Sequence, residues 1–273
     1  TGLVEQGVAN SQMSPLQTLH ASVLGGCYVG IAGLLSLAIA SSMSYRMVTA
    51  QRFVFAALLP VCLLLILQSG SQLFAGNTAT MSMAYFEGRV TKEQVIENWS
   101  VSYAGNIVGC VAMALMAWAA DLLTGRTRTL AVATAYMKCA SPWLPTILQA
   151  ILCNWLICMA VCLATSASDL SGKLVGASLP IAMCIAIGFQ NSVANMFLLP
   201  AGLLSGARIS ALQAVARNLI PTTVGEVIAG VVICGAGFAF SQSRLDAAAK
   251  AKGKAATAAA PAASPKAASP KAA

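Results

Sequence analysis

A long hydrophobic segment of the chain is interrupted by the polar stretch Gly188-Phe189-Gln190-Asn191-Ser192-Val193-Ala194-Asn195. An earlier hydrophobic segment is interrupted by Gln72-Leu73-Phe74-Ala75-Gly76-Asn77, and both contain Gln, four residues and Asn, with an offset of 118 residues. Backbone that stops being helical inside a bilayer frees N–H and C=O groups that lipid cannot satisfy, so it persists only where it is buried in protein or lines a polar passage. Matched interruptions in two halves of a chain indicate a transport site. We therefore predict a pore or carrier for a small polar solute.

The composition predicts an integral membrane protein. Hydrophobic residues make up 58% of the 273 residues and charged residues only 9%, whereas a soluble domain has about 25% charged residues. The nine cysteines mostly lie in apolar runs, without the paired spacing or histidine partners of a zinc or redox site, so no metal and no cofactor is expected. With one histidine and few acids, no nucleophile–base pair or two-carboxylate site is supported, and an enzyme is not expected.

Six segments are long and apolar enough to cross a bilayer, which takes about 20 helical residues. They are residues 16–40, 53–86, 100–122, 144–166, 174–205 and 219–240. The second and fifth are too long for one straight crossing and carry the two interruptions, so each is expected to form two half-helices. Three crossings in each half make the repeat inverted. The predicted fold is all-α, with six transmembrane helices in an inverted, aquaporin-like 3+3 repeat whose helices 2 and 5 are broken.

The chain is predicted to have three regions. Residues 1–14 form an N-terminal segment with no signal-peptide pattern, and residues 15–240 form the transport domain. Residues 241–273 consist mainly of Ala, Lys, Pro and Ser and are expected to form a disordered basic tail. The tail has the charge of a nucleic-acid binder but no interleaved aromatic residues, so no nucleic-acid partner is expected.

The motifs resemble the formate/nitrite transporter family, which comprises pentameric, channel-like carriers of small monocarboxylates and nitrite. The resemblance covers about residues 15–240 and is carried by these stretches: Leu73–Asn77, Asn98-Trp99, Gly105-Asn106, Cys153–Cys158, Pro180, Gly188–Phe197, Pro200 and Asn218–Pro221. It implies a homopentamer in the plasma membrane with both termini cytoplasmic, although the basic residues of the loops alone favour the opposite orientation. It also implies transport of small weak-acid anions of the formate, nitrite, lactate and acetate class, together with a proton.

The chain departs from the family pattern at the predicted centre. Gln190-Asn191 stands where the family usually has Glu-His, Ala75 stands where it has Thr, and Gly225-Glu226 stands where it has Gly-Asn. No imidazole is left at the centre to relay a proton. Because protonating an acid of pKa about 4 at pH 7 costs about 4 kcal/mol, and a bare anion in a dry constriction costs several kcal/mol, we expect the neutral acid to cross, with its proton taken from bulk water.

The resemblance also implies roles for single residues. Lys138, sixteen residues before Asn154, corresponds to a lysine that the family places in its outer funnel near the first interruption, where it would attract the anion. The alternative is that Lys138 only reaches the membrane interface. Asn191 is expected to orient the substrate or, alternatively, to cap the interruption. The remaining pathway residues are predicted to be Gln190, Asn154, Asn218 and Ala75, and His20 lies 118 residues before Lys138 as a candidate symmetry mate.

Two hydrophobic constrictions are implied to flank the central cavity. They are expected to be formed by Leu59, Leu63, Leu73, Phe74, Ile157 and Cys184. An ordinary apolar core explains Leu59, Leu63 and Ile157 equally well. Two other functions stay open at this point: a pore for neutral solutes of the aquaporin or glycerol-channel type, and a scaffold without transport whose basic tail binds an acidic partner or anionic lipid.

Overall fold

The computed structural model describes residues 2–44, 46–238 and 240, and within these ranges the chain is helical and contains no strand. The helices are α1 (Gly2–Ser11), α2 (Pro15–Ser42), α3 (Val48–Leu58), α4 (Val61–Ser69), α5 (Phe74–Phe86), α6 (Lys92–Ala119), α7 (Gly125–Ala140), α8 (Trp143–Ser166), α9 (Leu170–Ile187), α10 (Ser192–Leu204) and α11 (Ala211–Ala236). The predicted all-α class is confirmed. The predicted basic tail, residues 241–273, lies outside the described residues.

Six apolar helices are long enough to cross a membrane, and the chain is an integral membrane protein. They are α2, the continuous pair α3 and α4, α6, α8, α9 and α11. Pro60 lies in the turn between α3 and α4, whereas Pro180 lies inside α9, which continues through it. Helix α11 contains π-helical turns over Val215–Leu219 and Ala229–Ala236.

Local sequence signals start two of the spanning helices. The Ser14 hydroxyl accepts a hydrogen bond from the Gln17 amide, the Gln17 side chain accepts one from the Ser14 amide, and Pro15 occupies the first turn of α2. Thr91 and Gln94 form the same reciprocal pair at the start of α6. These capping boxes satisfy backbone donors that a helix cannot satisfy by itself.

The chain leaves the helical conformation at both predicted interruptions. Gly70 ends α4 with φ 69° and Gly188 ends α9 with φ 94°, and glycine adopts these left-handed conformations without steric cost. Residues 71–73 and 189–191 then run without helical structure before α5 and α10 begin. The orientation of the two halves as an inverted repeat stays a prediction.

Helix α7 was not expected, because none of the six predicted apolar segments includes residues 123–143. Its apolar side consists of small residues at four-residue spacing, Ala131, Ala135 and Cys139, which are all buried. A Cβ atom on Gly202 of α10 would lie 2.4 Å from the Ala135 Cβ atom, so the two helices pack in close contact. The small side chains give a weak hydrophobic signal, which explains why the helix was missed.

Glycines bring the spanning helices into backbone contact. A Cβ atom on Gly109 of α6 would lie 2.1 Å from the Val23 carbonyl oxygen of α2, and one on Gly225 of α11 would lie 2.4 Å from the Ile147 carbonyl oxygen of α8. No other residue fits these positions without moving a helix. Small residues are the usual means by which helices associate closely in membranes.

The N-terminal segment packs against the helical bundle through α1. Leu3 and Val4 are buried, and the buried side chain of Asn10 donates a hydrogen bond to the Asn77 side chain over 3.2 Å. At the exposed side of α1, Glu5 pairs with Arg89, whose guanidinium lowers the pKa of that carboxyl. Helix α1 therefore covers the first interruption from one side.

Candidate transport site

Buried amide side chains hold the second interruption in place. The Gln190 Oε1 atom accepts hydrogen bonds from Asn195 Nδ2 over 3.0 Å and from Asn218 Nδ2 over 3.1 Å. Asn218 also donates to the Lys138 carbonyl over 2.7 Å and accepts from Asn195 over 2.7 Å. These bonds replace part of the backbone bonding that the chain gives up on leaving the helix. Gln190 and Asn195 thus support the backbone of the interruption.

At the first interruption, a glutamine accepts hydrogen bonds from two asparagines in the same pattern. Gln72 Oε1 accepts from Asn77 Nδ2 over 2.8 Å and from Asn98 Nδ2 over 3.0 Å. Each of these three side chains has its counterpart 118 or 120 residues later in the chain. Asn106 Oδ1 accepts from the Phe74 amide at the start of α5 over 2.9 Å. The repeated pattern supports a structural repeat of the two halves.

The carboxyl of Glu226, a residue of α11, caps the first turn of α10. No residue was predicted from the sequence to have this role. Its Oε1 atom accepts from the Ser192 amide over 2.7 Å and from Asn191 Nδ2 over 2.8 Å, and its Oε2 atom is hydrogen-bonded to the Ser192 hydroxyl. The Glu226 side chain is completely buried. No imidazole was expected at the centre, and the structure places an ionisable carboxyl beside Asn191 there. The sequence signal for this role was the Gly225-Glu226 pair, which departs from the family pattern. Only the fold shows that the Glu226 carboxyl faces the interruption.

A cavity of about 350 Å³ lies against the second interruption. Its lining includes Lys138, Arg52, Leu59, Gln190 and Asn191. The cavity therefore brings together two basic side chains and the two polar residues that the sequence placed at the centre.

Lys138 lies beside the second interruption, which corrects the expectation that it lies near the first. Its ammonium group donates to the Phe189 carbonyl over 2.9 Å. Lys138 belongs to α7, outside the six spanning helices, and burial lowers its pKa to about 8. Among the described residues it has no carboxylate partner. Its positive charge is therefore left to act on the contents of the cavity.

Asn154 and Asn218 are buried in the protein and are not among the residues that line this cavity. Asn154 Nδ2 donates to the Glu226 carbonyl over 2.7 Å and to the Thr78 hydroxyl over 2.9 Å. These bonds connect α8 with α11 and α5. The structure thus places both asparagines as supports of the site, whereas the sequence predicted them along the pathway.

Some of the predicted constriction residues meet and others do not. Ile157 and Cys184 pack with Ala75 and Cys153 in one buried apolar cluster, and Cys153 also lines the cavity. Through Cys153 and Ala75, this cluster connects the cavity with the first turn of α5. The sulfur of Cys184 donates a weak hydrogen bond to the Cys153 carbonyl over 3.3 Å.

The other predicted constriction residues are distributed over different parts of the core. The Phe74 ring packs edge-on against Tyr103, with 4.9 Å between ring centroids, and is buried. Leu63 is buried in a cluster that includes residues of α1 and α8, whereas Leu59 lines the cavity. Leu73 is partly buried beside two of these clusters. The two complete constrictions therefore stay a prediction.

A second cavity, of about 390 Å³, lies at the first interruption. Its lining includes His20, Gln12, Gln17, Gly70 and Ser71. His20 and Lys138, which are 118 residues apart, thus each line a cavity at one of the two interruptions.

Six spanning helices, two helix interruptions tied by buried amides and a cavity at each interruption define a membrane transport protein. The comparisons with known proteins agree with that class, since the family and the relatives reported below are described as transporters or channels. The chain belongs to the formate/nitrite transporter family, whose sequence profile matches residues 1–240.

Relatives and solved structures support the assignment. A protein described as a probable formate transporter, from Methanothermobacter thermautotrophicus, is 34% identical over 229 residues, which are 77% of this chain and 83% of the relative. A structure described as an FNT family ion channel superimposes with a TM-score of 0.81 at 24% identity, covering 88% of this chain and 96% of that one. A structure described as a pentameric formate channel with formate bound gives a TM-score of 0.72 at 22% identity, covering 82% and 96%.

Proposed function

We propose that the chain transports small monovalent weak acids of the formate, nitrite, lactate and acetate class. In this proposal Lys138 draws the anion into the cavity, and the acid crosses the apolar cluster in its neutral form with a proton from bulk water. The observation that carries the proposal is the position of the Lys138 ammonium and Asn191 in one cavity beside the second interruption. The family, and relatives named for formate, support the class of substrate.

The charge on Lys138 is sufficient to concentrate an anion. At about 8 Å and an effective dielectric constant near 20, a lysine attracts a carboxylate by about 2 kcal/mol. That free energy corresponds to an enrichment of roughly thirtyfold. Arg52 lines the same cavity and adds to the positive potential.

The apolar cluster decides the form in which the substrate crosses. Ala75, Ile157 and Cys184 offer no charged partner to an anion. Desolvation raises the pKa of an acid in such surroundings, so the neutral form becomes favoured as the substrate advances. Glu226 is not among the lining residues of either cavity, so we assign the proton to bulk water.

We also propose a homopentamer in the plasma membrane with both termini on the cytoplasmic side. The description of one solved relative as a pentamer supports this assembly. Large apolar side chains such as Trp118, Leu144 and Leu179 are exposed on the single chain, and lipid and neighbouring copies would cover them. Light scattering in detergent would test the pentamer. A monomer under conditions that preserve transport would contradict it.

The transport proposal is tested by reconstituting the full chain in lipid vesicles and measuring formate uptake together with the internal pH. We expect uptake to increase as the external pH falls and to carry one proton per formate. Uptake without pH dependence would remove the proton step. A panel with nitrite, lactate, acetate and glycerol would define the class of substrate, and rapid glycerol passage without formate uptake would favour a neutral-solute pore instead.

A further inference from the structure

The buried carboxyl of Glu226 is not used by the transport steps proposed above. It lies on α11, has no ion-pair partner among the described residues, and is completely buried. Burying a charge is costly unless other groups replace its water. Three donors do so here, because two N–H groups bond to Oε1 and the Ser192 hydroxyl bonds to Oε2.

The surroundings of this carboxyl are those of an anion site. Ser192 is the first residue of α10, so its free amide and the dipole of a thirteen-residue helix both favour a negative group there. Half-helices in transporters commonly use such ends to hold an anionic part of the substrate. In this chain the Glu226 carboxyl already holds that position.

At the first interruption, the first backbone amide of α5 makes the corresponding hydrogen bond, but its acceptor is a neutral side chain. There the Asn106 Oδ1 atom accepts from the Phe74 amide over 2.9 Å, and Asn106 lies 120 residues before Glu226. The two sites thus have the same framework, and the second one carries a carboxyl in place of an amide. This carboxyl is bonded to Asn191, which lines the Lys138 cavity.

Asn191 connects Glu226 to that cavity. Its Oδ1 atom accepts from the Ala194 amide over 2.8 Å, and its amide nitrogen donates to Glu226, which fixes the orientation of the side chain. Since Asn191 also lines the cavity, one amide hydrogen bond separates the carboxyl from the substrate's space. A substrate anion that reaches Asn191 therefore has the Glu226 carboxyl directly behind that amide.

We propose that Glu226 determines the charge selectivity of transport: it is a resident carboxylate that occupies the anion-binding end of α10, repels substrate anions at the centre and leaves the neutral acid as the transported form. The inference rests on the proposed function and names the residue that enforces it. Lys138 and Glu226 then have opposite tasks, since the first gathers anions and the second keeps them from crossing as anions.

The test compares the full chain with Glu226→Gln and Glu226→Asn in lipid bilayers, using formate as the probe. Both variants are neutral, and the second repeats the amide of the first interruption. Formate current is measured at about pH 7.5, and acid-linked proton uptake at about pH 5.5. Glu87→Gln removes a negative charge from the exposed end of α5 and serves as the control.

We expect either neutral variant to raise the ratio of formate current to acid uptake about tenfold or more, which corresponds to about 1.4 kcal/mol. Glu87→Gln should leave that ratio at the value of the parent chain. An unchanged ratio in an assembled Glu226 variant would overturn the inference. Failure of the proposed function itself would appear separately, as a parent chain that moves no formate or moves it without protons.

A measurement on the parent chain makes the inference testable even if neither neutral variant assembles. With a formate gradient at about pH 7.5, the parent chain should show no reversal potential set by formate, because its anion is excluded. A reversal potential that follows the formate gradient would contradict the role of Glu226.

Discussion

Replacing Lys138 with glutamine tests whether its charge gathers the substrate. Lys138→Gln removes the charge and keeps an N–H donor for the Phe189 carbonyl, which the lysine contacts over 2.9 Å. Attraction of about 2 kcal/mol at about 8 Å predicts that the parent chain takes up formate roughly thirtyfold better than the variant at low formate concentration. The advantage should appear in KM and leave the maximal rate nearly unchanged.

The pH dependence of that advantage follows from the pKa of Lys138. Burial lowers this pKa from its ordinary value of 10.5 to about 8. A lysine is positive below its pKa and neutral above it, so about nine-tenths of the charge is present at pH 7 and about one-tenth at pH 9. The ratio of parent to variant uptake should therefore fall as the pH rises, with a midpoint near 8.

The assay measures initial formate uptake into vesicles from pH 6 to pH 9.5 for the two chains in parallel. The amount of neutral acid also falls with rising pH, but it falls equally for both chains and cancels in the ratio. A ratio near one at every pH would show that the lysine does not attract substrate. A large ratio that persists up to pH 9.5 would show that burial does not lower the pKa of Lys138 in the assembled protein.

Three further substitutions test the constriction, the helix contacts and the amide support. Phe74→Ala should increase the uptake of lactate relative to formate, and an unchanged ratio would argue against Phe74 as a size filter. Gly109→Ala should lower the unfolding temperature in detergent and disturb assembly, because its Cβ atom would lie 2.1 Å from the Val23 carbonyl oxygen. Gly76→Ala should have little effect, because the nearest atom to its Cβ would lie 3.7 Å away. Gln190→Leu should destabilise the protein by about 2–4 kcal/mol, because Asn195 and Asn218 would each keep one buried N–H group without an acceptor. Equal thermal stability of the two chains would contradict that account.

The interruptions and the spanning helices could be predicted from sequence because their signals are local. Length and apolar composition mark a span, and a glycine followed by amides inside an apolar run marks its interruption. The same reasoning missed α7, whose buried side is made of alanines and a cysteine. Small residues can form a close helix contact without raising the local hydrophobicity.

The chemistry of the site was harder to predict because it depends on contacts between distant residues. Glu226 follows Asn191 by 35 positions, and nothing in either local sequence shows that the two side chains form a hydrogen bond. The same limit applies to Lys138, which was expected near the first interruption and lies at the second. The positions of Asn154 and Asn218 could not be read from the chain either, since a buried support and a pathway residue have the same polarity.

The side chains that brace the two helix interruptions are carboxamides, and carboxamides keep the same protonation state across the physiological pH range. In the proposed mechanism, acidification of one compartment protonates the substrate and so increases the driving force for its passage. The Gln72 and Gln190 clusters keep their hydrogen bonds under that same acidification. The frame around the two interruptions is therefore insensitive to the proton gradient that the proposed transport would use.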